Sequence, residues 1–549
     1  MKKMMIFLSM LLSVVLLGKE VNITILGTSD VHGRMVPWNY STDKADFSGS
    51  YSQISEIIKD YRQNSKNVIV VDIGDIIQDN YIEKFINEPQ HPAMTALNEM
   101  KYDIIIPGNH EFNFGMDALD KVLKQFNGKV LSANIYYKTG ERYLDPSTIM
   151  TVDGIKVGII GATTPLVEQF EEESGNVKDM RFAMPADEIR KEVQNLKKQG
   201  ADVIILLAHM GLPNENNIPG TGVVDIANEV SGIDVIIAGH EHKNVSKQVV
   251  NGTIITEPYR YGAAISVVDL KFNVDNKGKK TLVAKDAKTI SVNSEKSDKK
   301  VEEIYAPYSE ILIKDANIKV GETANDLVPQ VLVHGIPSIY MKDSGLSTLF
   351  GDVQIYYSKA DVVSFLVDNK KAVLNKGDIK KKDIANNYQY TSGETTVYEF
   401  TGKDLKDYME WSAAYFDTVK PGDKDYRYDP VRGASKYMTY DMFGGVKYKI
   451  DLREAPGNRI KDLRLVKGNK KVTDDMKIKV GLNAYRYEML VGKGGPLEGR
   501  RVNPIWDSKT AFGEEEGTIR NMTIRYIRDV KKGKIDGKAH GYWEVIGIE

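Results

Sequence analysis

An α/β domain followed by a separate second domain is the fold class this sequence predicts, and three observations predict it. The 549 residues are too many for one hydrophobic core. From Val21 to about Asp275, apolar runs of strand length alternate with amphipathic stretches of helix length, the rhythm of βαβ units. Beyond residue 315 the pattern shifts to tyrosine-rich strands with few strong turns.

Taken in order, the chain opens MKKMMIFLSMLLSVVLLGKE, two lysines ahead of an apolar stretch from Met4 to Leu17. That stretch falls short of the roughly 20 residues that cross a bilayer as a helix, so residues 1–18 are expected to be a secretory signal. The protein is then expected to be exported, periplasmic or extracellular, with no stable membrane span after cleavage. The expected strands that follow are NITIL, NVIVVDI, DIIIPG, KVGIIGA, DVIILLAH and DVIIAGH. Between them, MDALDKVLKQF places Met116, Leu119, Val122, Leu123 and Phe126 on one helical face, and PADEIRKEVQNLKKQG opens with proline and closes with glycine. Residues 19–295 make the first domain. Residues 296–315 read as a linker helix, with Val301, Ile304, Tyr305, Tyr308 and Ile311 at helical spacing on a charged background. Residues 316–549 make the second domain. In it TGKDLKDYMEWSAAYF carries a capping box, Thr401 with Asp404, and YDMFGGVKYKIDL reads as strand, bulge or turn, then strand.

Composition narrows the chemistry. A formal net charge of -2 gives no global attraction to nucleic acid polymers, so small anions need a local site. The absence of cysteine removes thiolate as nucleophile or metal ligand. Chemistry must come from oxygen and imidazole.

Five polar motifs supply those groups, and each follows one of the apolar runs: Asp30-Val31-His32, Gly74-Asp75, Gly108-Asn109-His110-Glu111, His209 in LLAHMG, and Gly239-His240-Glu241-His242. Ligands gather at the carboxyl ends of strands in open α/β sheets, so these motifs should converge. Asp30 and His32 are two residues apart and leave one face of an extended backbone, as do His240 and His242. Each motif also has a bland reading: D-x-H as a surface pair, Gly-Asp as a turn, His209 as a satisfied core histidine. Taken together they are harder to dismiss, because five of the eight histidines fall in four of these motifs. Carboxylate, imidazole and amide without thiol is the ligand set for a pair of divalent metals, with manganese, zinc, cobalt and iron all suited. Hydrolysis of a phosphate ester is the predicted chemistry.

The ordered set D-x-H, GD, GNHE, H and GHxH resembles the calcineurin-like metallophosphoesterases. HPAMTALNEMKYDIIIPGNHEFNFG, GDIKKKDIANNYQY, FTGKDLKDYMEWSA and YDMFGGVKYKIDL further resemble the bacterial 5′-nucleotidase superfamily, most closely its 2′,3′-cyclic-nucleotide 2′-phosphodiesterase/3′-nucleotidase branch. The resemblance covers nearly the whole chain after the signal. It implies a four-layer sandwich joined by the linker helix to an α/β nucleotide-binding domain. It implies one metal held by Asp30, His32, Asp75 and His242, and a second by Asp75, Asn109, His209 and His240. His110 matches the family's catalytic histidine. The 5′-nucleotidase branch pairs this histidine with an aspartate, where this chain has Asn113, and asparagine at that place agrees with the cyclic-nucleotide branch. An asparagine orients the ring without adding charge.

The resemblance also implies a nucleobase held between two aromatic rings of the second domain, Tyr440 and Tyr485, with Tyr487 as a substitute for Tyr485. Stacking of that kind contributes about 1 to 3 kcal/mol per base. The bland reading is that these tyrosines pack a strand face in a chain with 29 of them. GKGGPLEG lacks the lysine-hydroxyl pair of a Walker motif and reads as a flexible wall. The expected reaction is two-metal hydrolysis of 2′,3′-cyclic nucleotides to 3′-nucleotides and then to nucleoside and phosphate, with a metal-bridging hydroxide as nucleophile. A 5′-nucleotidase or UDP-sugar hydrolase, and a surface-binding protein without turnover, are the alternatives.

Overall fold

The computed structural model describes residues 18–172, 174–390, 393–435 and 438–548, so the apolar stretch Met4–Leu17 of the expected signal lies outside the described residues. The chain separates into two compact units, one comprising residues through Asn39 with Lys44–Glu310, the other Tyr40–Asp43 with Ile311–Glu549.

Two six-stranded sheets form the first unit. One runs in the order Lys280–Ser291, Ala264–Val274, Lys19–Thr28, Val68–Asp72, Ile104–Ile105, Lys129–Val130. The other runs Asn244–Val250, Thr253–Pro258, Val235–Gly239, Val203–His209, Ile155–Thr163, Ser147–Val152. Lys19–Thr28 is parallel to Val68–Asp72, and Val203–His209 is parallel to both of its neighbours; three of the four outer pairs are antiparallel, and Ile104–Ile105 with Lys129–Val130 is parallel.

Strand Val203–His209 shows why the apolar runs are continuous. Val203, Ile205 and Leu207 pack into the core between the sheets, against Ile25, Ile69 and Val71. Ile204, Leu206 and Ala208 face the other way, onto Ile189, Val193 and Leu196 of helix Pro185–Lys198. A period of two with both faces covered leaves no place for a polar residue until the strand ends. Burying each large side chain contributes about 1.5 to 3 kcal/mol. On the opposite sheet, helix Tyr51–Asn64 packs against Val68–Asp72 with Ile54 and Ile58 buried. The layers are therefore helix, sheet, sheet, helix, the four-layer sandwich that the resemblance implied.

Some elements differ from expectation. DIIIPG forms only the short strand Ile104–Ile105, because Pro107 has no N–H to give to a ladder. Helix Met116–Leu123 buries Leu119, Val122 and Leu123 and stops before Phe126, which is buried beyond its end. The expected linker is helix Lys299–Ala316, with Val301, Tyr305 and Leu312 buried; Ile311, expected on that face, is exposed. No helix among the described residues is long and apolar enough to cross a membrane.

The second unit is built on a five-stranded sheet in the order Met442–Gly444, Val362–Phe365, Lys477–Leu482, Thr396–Thr401, Trp506–Asp507. Thr401 caps helix Gly402–Ala413 by accepting the Asp404 N–H, and the Asp404 side chain accepts the Thr401 N–H, the expected capping box. In YDMFGGVKYKIDL, Gly445 at φ +82° separates strands Met442–Gly444 and Val446–Asp451, which lie in different sheets. A single core holds this unit, with Leu346, Phe350, Val363, Leu405 and Val480 at its centre.

Candidate active site

All five polar motifs of the first unit sit where parallel strands stop. Asp30 and His32 follow Lys19–Thr28, Asp75 follows Val68–Asp72, Asn109 follows Ile104–Ile105, His209 ends its strand, and His240 and His242 follow Val235–Gly239. Asp30 and His209 are fully buried, Asp75 and His32 nearly so.

The loops between them are tightly constrained. Asp30, His32, Asp75, His240 and His242 all have φ between +50° and +86°, the left-handed region. Non-glycine residues there cost about 1 kcal/mol or more each, and such strain gathers at functional sites. Glycines give the loops room to meet: a Cβ on Gly108 would lie 2.3 Å from Asp75 Oδ1, and one on Gly239 would lie 1.9 Å from Ser29 Oγ. Glu111 fixes the loops further by accepting the backbone N–H groups of Asp75, Ile76 and Gly108 at 2.6 to 2.7 Å.

Two groups of ligand atoms result. Asp30, His32, Asp75 and His242 converge in one, and Asp75, His209 and His240 in the other, so Asp75 belongs to both. In the first, His242 Nε2 lies 3.2 Å from Asp30 Oδ1 and 3.2 Å from His32 Nε2. In the second, His209 Nε2 lies 3.2 Å from Asp75 Oδ2, and Asn109 Oδ1 lies 3.1 Å from His209 Nε2 and 2.8 Å from His240 Nδ1.

Those contacts identify what belongs between them. His209 donates Nδ1–H to the Ile73 carbonyl at 2.7 Å, and His240 donates Nε2–H to Glu215 at 2.8 Å. Their other nitrogens then present lone pairs to the Asp75 and Asn109 oxygens, a repulsion that only a proton or a cation relieves. The charge balance agrees. Burial works against a charged ring, yet Asp75 and Asp30 push His209 up to about 10. Burial would raise Asp75, but His209 and His110 hold it well below the ordinary carboxylate range. Buried carboxylates this close together need compensating positive charge. The donor set fits two divalent ions, with Asp30, His32, Asp75 and His242 holding one and Asp75, Asn109, His209 and His240 the other.

His110 stands at the edge of this centre, its ring centroid 5.4 Å from that of His32 and its backbone N–H on Asp75 Oδ1. Its Nδ1 meets Asn113 Oδ1 at 2.7 Å, so the Nε2 edge is left to face a reacting group.

The tyrosines are distributed differently from expectation. Tyr440 is fully buried, its hydroxyl donating to the Tyr340 carbonyl and its ring held between Tyr415 and Phe416. Tyr487 stacks on Tyr398 at 3.8 Å and 6°, with its hydroxyl on Val502. Neither offers an open face to a base, because both rings are buried. Tyr485 is 52% exposed.

Two positions escaped the sequence reading. Glu215, which orients His240, lies in a loop with no motif, and its carboxyl, which burial alone would raise, is lowered by the histidine beside it. Glu171 accepts from Asn113 Nδ2 at 2.5 Å. Both contacts join segments far apart in sequence, so no local spacing announces them.

The calcineurin-like phosphoesterase family model covers residues 23–244, and the 5′-nucleotidase C-terminal domain model covers residues 319–495. The chain is 26% identical over 499 residues to the trifunctional nucleotide phosphoesterase protein YfkN of Bacillus subtilis, covering 79% of this chain. It spans only 33% of the length of that relative. It is 25% identical over 602 residues to the 2′,3′-cyclic-nucleotide 2′-phosphodiesterase/3′-nucleotidase of Salmonella typhimurium, covering 96% of this chain and 89% of that one. A Staphylococcus aureus protein solved with alpha-ketoglutarate shares the fold, with a TM-score of 0.77 at 20% identity over 96% of this chain and all of that one. With its ligand cluster at the strand ends and its second unit, the chain belongs to the metal-dependent phosphoric ester hydrolases that join a calcineurin-like phosphoesterase domain to a 5′-nucleotidase C-terminal domain.

Proposed function

We propose that this protein is an exported hydrolase of 2′,3′-cyclic nucleotides and 3′-nucleotides. The observation that carries the substrate reading is Asn113 on His110, a neutral amide where the 5′-nucleotidase branch places an aspartate. The likeness to the Salmonella enzyme supports it. Export rests on residues 1–18 alone, and the domain limits 19–295, 296–315 and 316–549 remain part of this reading.

Two divalent ions, when bound, supply a nucleophile at neutral pH and neutralise the charge of the phosphoryl group. The chain's own groups do the rest. Glu215 and the Ile73 carbonyl fix the rings of His240 and His209 so that ligand nitrogens face inward. Asn113 accepts Nδ1–H of His110, so a proton passed from Nε2 to the departing ribose oxygen leaves a neutral ring. A 3′-nucleotide formed in the first turnover must rebind with its remaining ester presented to the same centre. Recognition of the base belongs, in this reading, to the second domain, where Tyr485 is the exposed one of the three tyrosines.

A panel of 2′,3′-cyclic AMP, 3′-AMP, 5′-AMP and a UDP-sugar, each with and without chelator, tests this. Turnover of the first two, abolished by chelator and restored by manganese, is expected. Preference for 5′-AMP or the UDP-sugar would assign the chain to the 5′-nucleotidases instead, the reading favoured by the family of its second domain. Stoichiometric metal without any hydrolysis would make it a binding protein.

A further inference from the structure

We propose that Glu171 is a positioning residue for the reaction, setting the direction in which the Asn113 amide points and thereby the tautomer of His110. The inference rests on the reading of His110 as the group that assists the leaving oxygen.

An asparagine side chain has two unlike ends, a donor and an acceptor, and either could face a histidine. If NH2 faced Nδ1, that nitrogen would have to accept, and the proton would sit on Nε2. If the oxygen faces it, Nδ1 keeps a proton, so Nε2 can pass one to the leaving oxygen and the ring ends neutral; with NH2 facing Nδ1 the same transfer would leave an imidazolate. In this structure the choice is made by the neighbour: Asn113 donates Nδ2–H to Glu171 Oε1 at 2.5 Å and presents Oδ1 to His110 at 2.7 Å. An ionised carboxylate has only acceptors, so the amide cannot turn over without setting oxygen against oxygen.

Glu171 is itself held. It is 6% exposed, and its second oxygen accepts from Ser174 Oγ at 2.6 Å and from Asn176 Nδ2 at 3.0 Å. Both partners donate, which suits the ionised form. Asn176 also donates to the Asn113 carbonyl at 2.8 Å, tying the short loop from Glu171 to the 3-10 turn His110–Phe114. The result is a row in which every member has its direction fixed: Glu171, then Asn113, then His110.

Asn113 thus acquires a second meaning. An aspartate at 113 would set its carboxylate within hydrogen-bonding distance of the Glu171 carboxylate, so this chain has moved the negative charge one residue outward from the histidine and inserted an amide between them. The arrangement holds the ring as an aspartate would, with the charge further away.

The test is a reciprocal pair of substitutions, read by kinetics and by nitrogen NMR. Glu171→Ala frees the amide to turn and is expected to lower kcat on 2′,3′-cyclic AMP by about 10- to 100-fold with KM little changed, a part of the roughly 10²- to 10⁴-fold that a positioned acid-base group contributes. Asn113→Asp in the natural background is expected to be harmful, because it opposes Glu171. In the Glu171→Ala background the same Asn113→Asp change should restore activity, since an aspartate needs no neighbour to tell its ends apart. A merely structural role for Glu171 gives no such reversal of sign. If the panel assigns 5′-AMP as the substrate, the same variants are read with it. Independently of turnover, 15N-histidine labelling of the chelated full-length protein should show the His110 proton on Nδ1 in the natural chain and redistributed in Glu171→Ala. Unchanged protonation in Glu171→Ala, or equal harm from Asn113→Asp in both backgrounds, would overturn the assignment of Glu171 while leaving the reading of His110 intact.

Discussion

Gly239 illustrates how little room the ligand loops have. An added methyl would lie 1.9 Å from Ser29 Oγ and 2.9 Å from Asp30 Oδ2, and Asp30 already accepts the His240 N–H through both its oxygens. Gly239→Ala is therefore expected to lower stability by about 1 to 3 kcal/mol, read as a shift of the urea midpoint. It should also reduce bound metal, measured by elemental analysis, because the clash is with a ligand. The candidate ligands were legible in the sequence, since D-x-H and GHEH carry their spacing locally and follow apolar runs. What orients the groups of the site was not: Glu215 reaches His240 across 25 positions, and Glu171 reaches Asn113 beside His110 across 58. Tyr440 was misread for a related reason. Its burial is decided by Tyr415, Phe416 and the Tyr340 carbonyl, none of which its own segment contains.

Helix Pro92–Glu99 begins at His91, whose side chain does not cap it. The imidazole is fully buried, neither ring nitrogen has a hydrogen-bond partner among the described residues, and burial lowers its pKa to about 4. Positive charge at a helix N-terminus is unfavourable as well. The folded protein therefore resists a proton that the unfolded chain takes up near its ordinary value of about 6.5. Stability is whole above that value and is lost as pH falls from about 6.5 toward 4, by roughly 3 kcal/mol in total. Replacing the ring with Leu in His91→Leu should flatten this part of the profile, visible when urea midpoints at pH 7 and pH 5 are compared with those of the natural chain. Strand existence was readable at this scale, and strand length less so. The apolar run DIIIPG looks like its neighbours until Pro107 withholds a hydrogen bond from the ladder.

At the scale of the whole molecule, the seven metal-ligand candidates all come from one of the two units, between Asp30 and His242. An ion at 100 times its dissociation constant stabilises the state that binds it by about 2.7 kcal/mol per site. Calorimetry with and without manganese is expected to move the unfolding of the first unit upward and leave that of the second where it was, since the second unit has its own core. The division into two units was legible from the change in composition near residue 315. The exact place where the units part, within helix Lys299–Ala316, was not, because helical periodicity runs through it without a break.

The left-handed backbone at Asp30, His32, Asp75, His240 and His242 has one more consequence. The bend at Asp75 is held by Glu111, which accepts the backbone N–H groups of Asp75, Ile76 and Gly108, so the chain itself fixes the carboxylate shared by the two ligand groups. The folded chain is then expected to take up a divalent ion without refolding, and a chain prepared with one metal to trade it for another on dialysis, read by elemental analysis before and after.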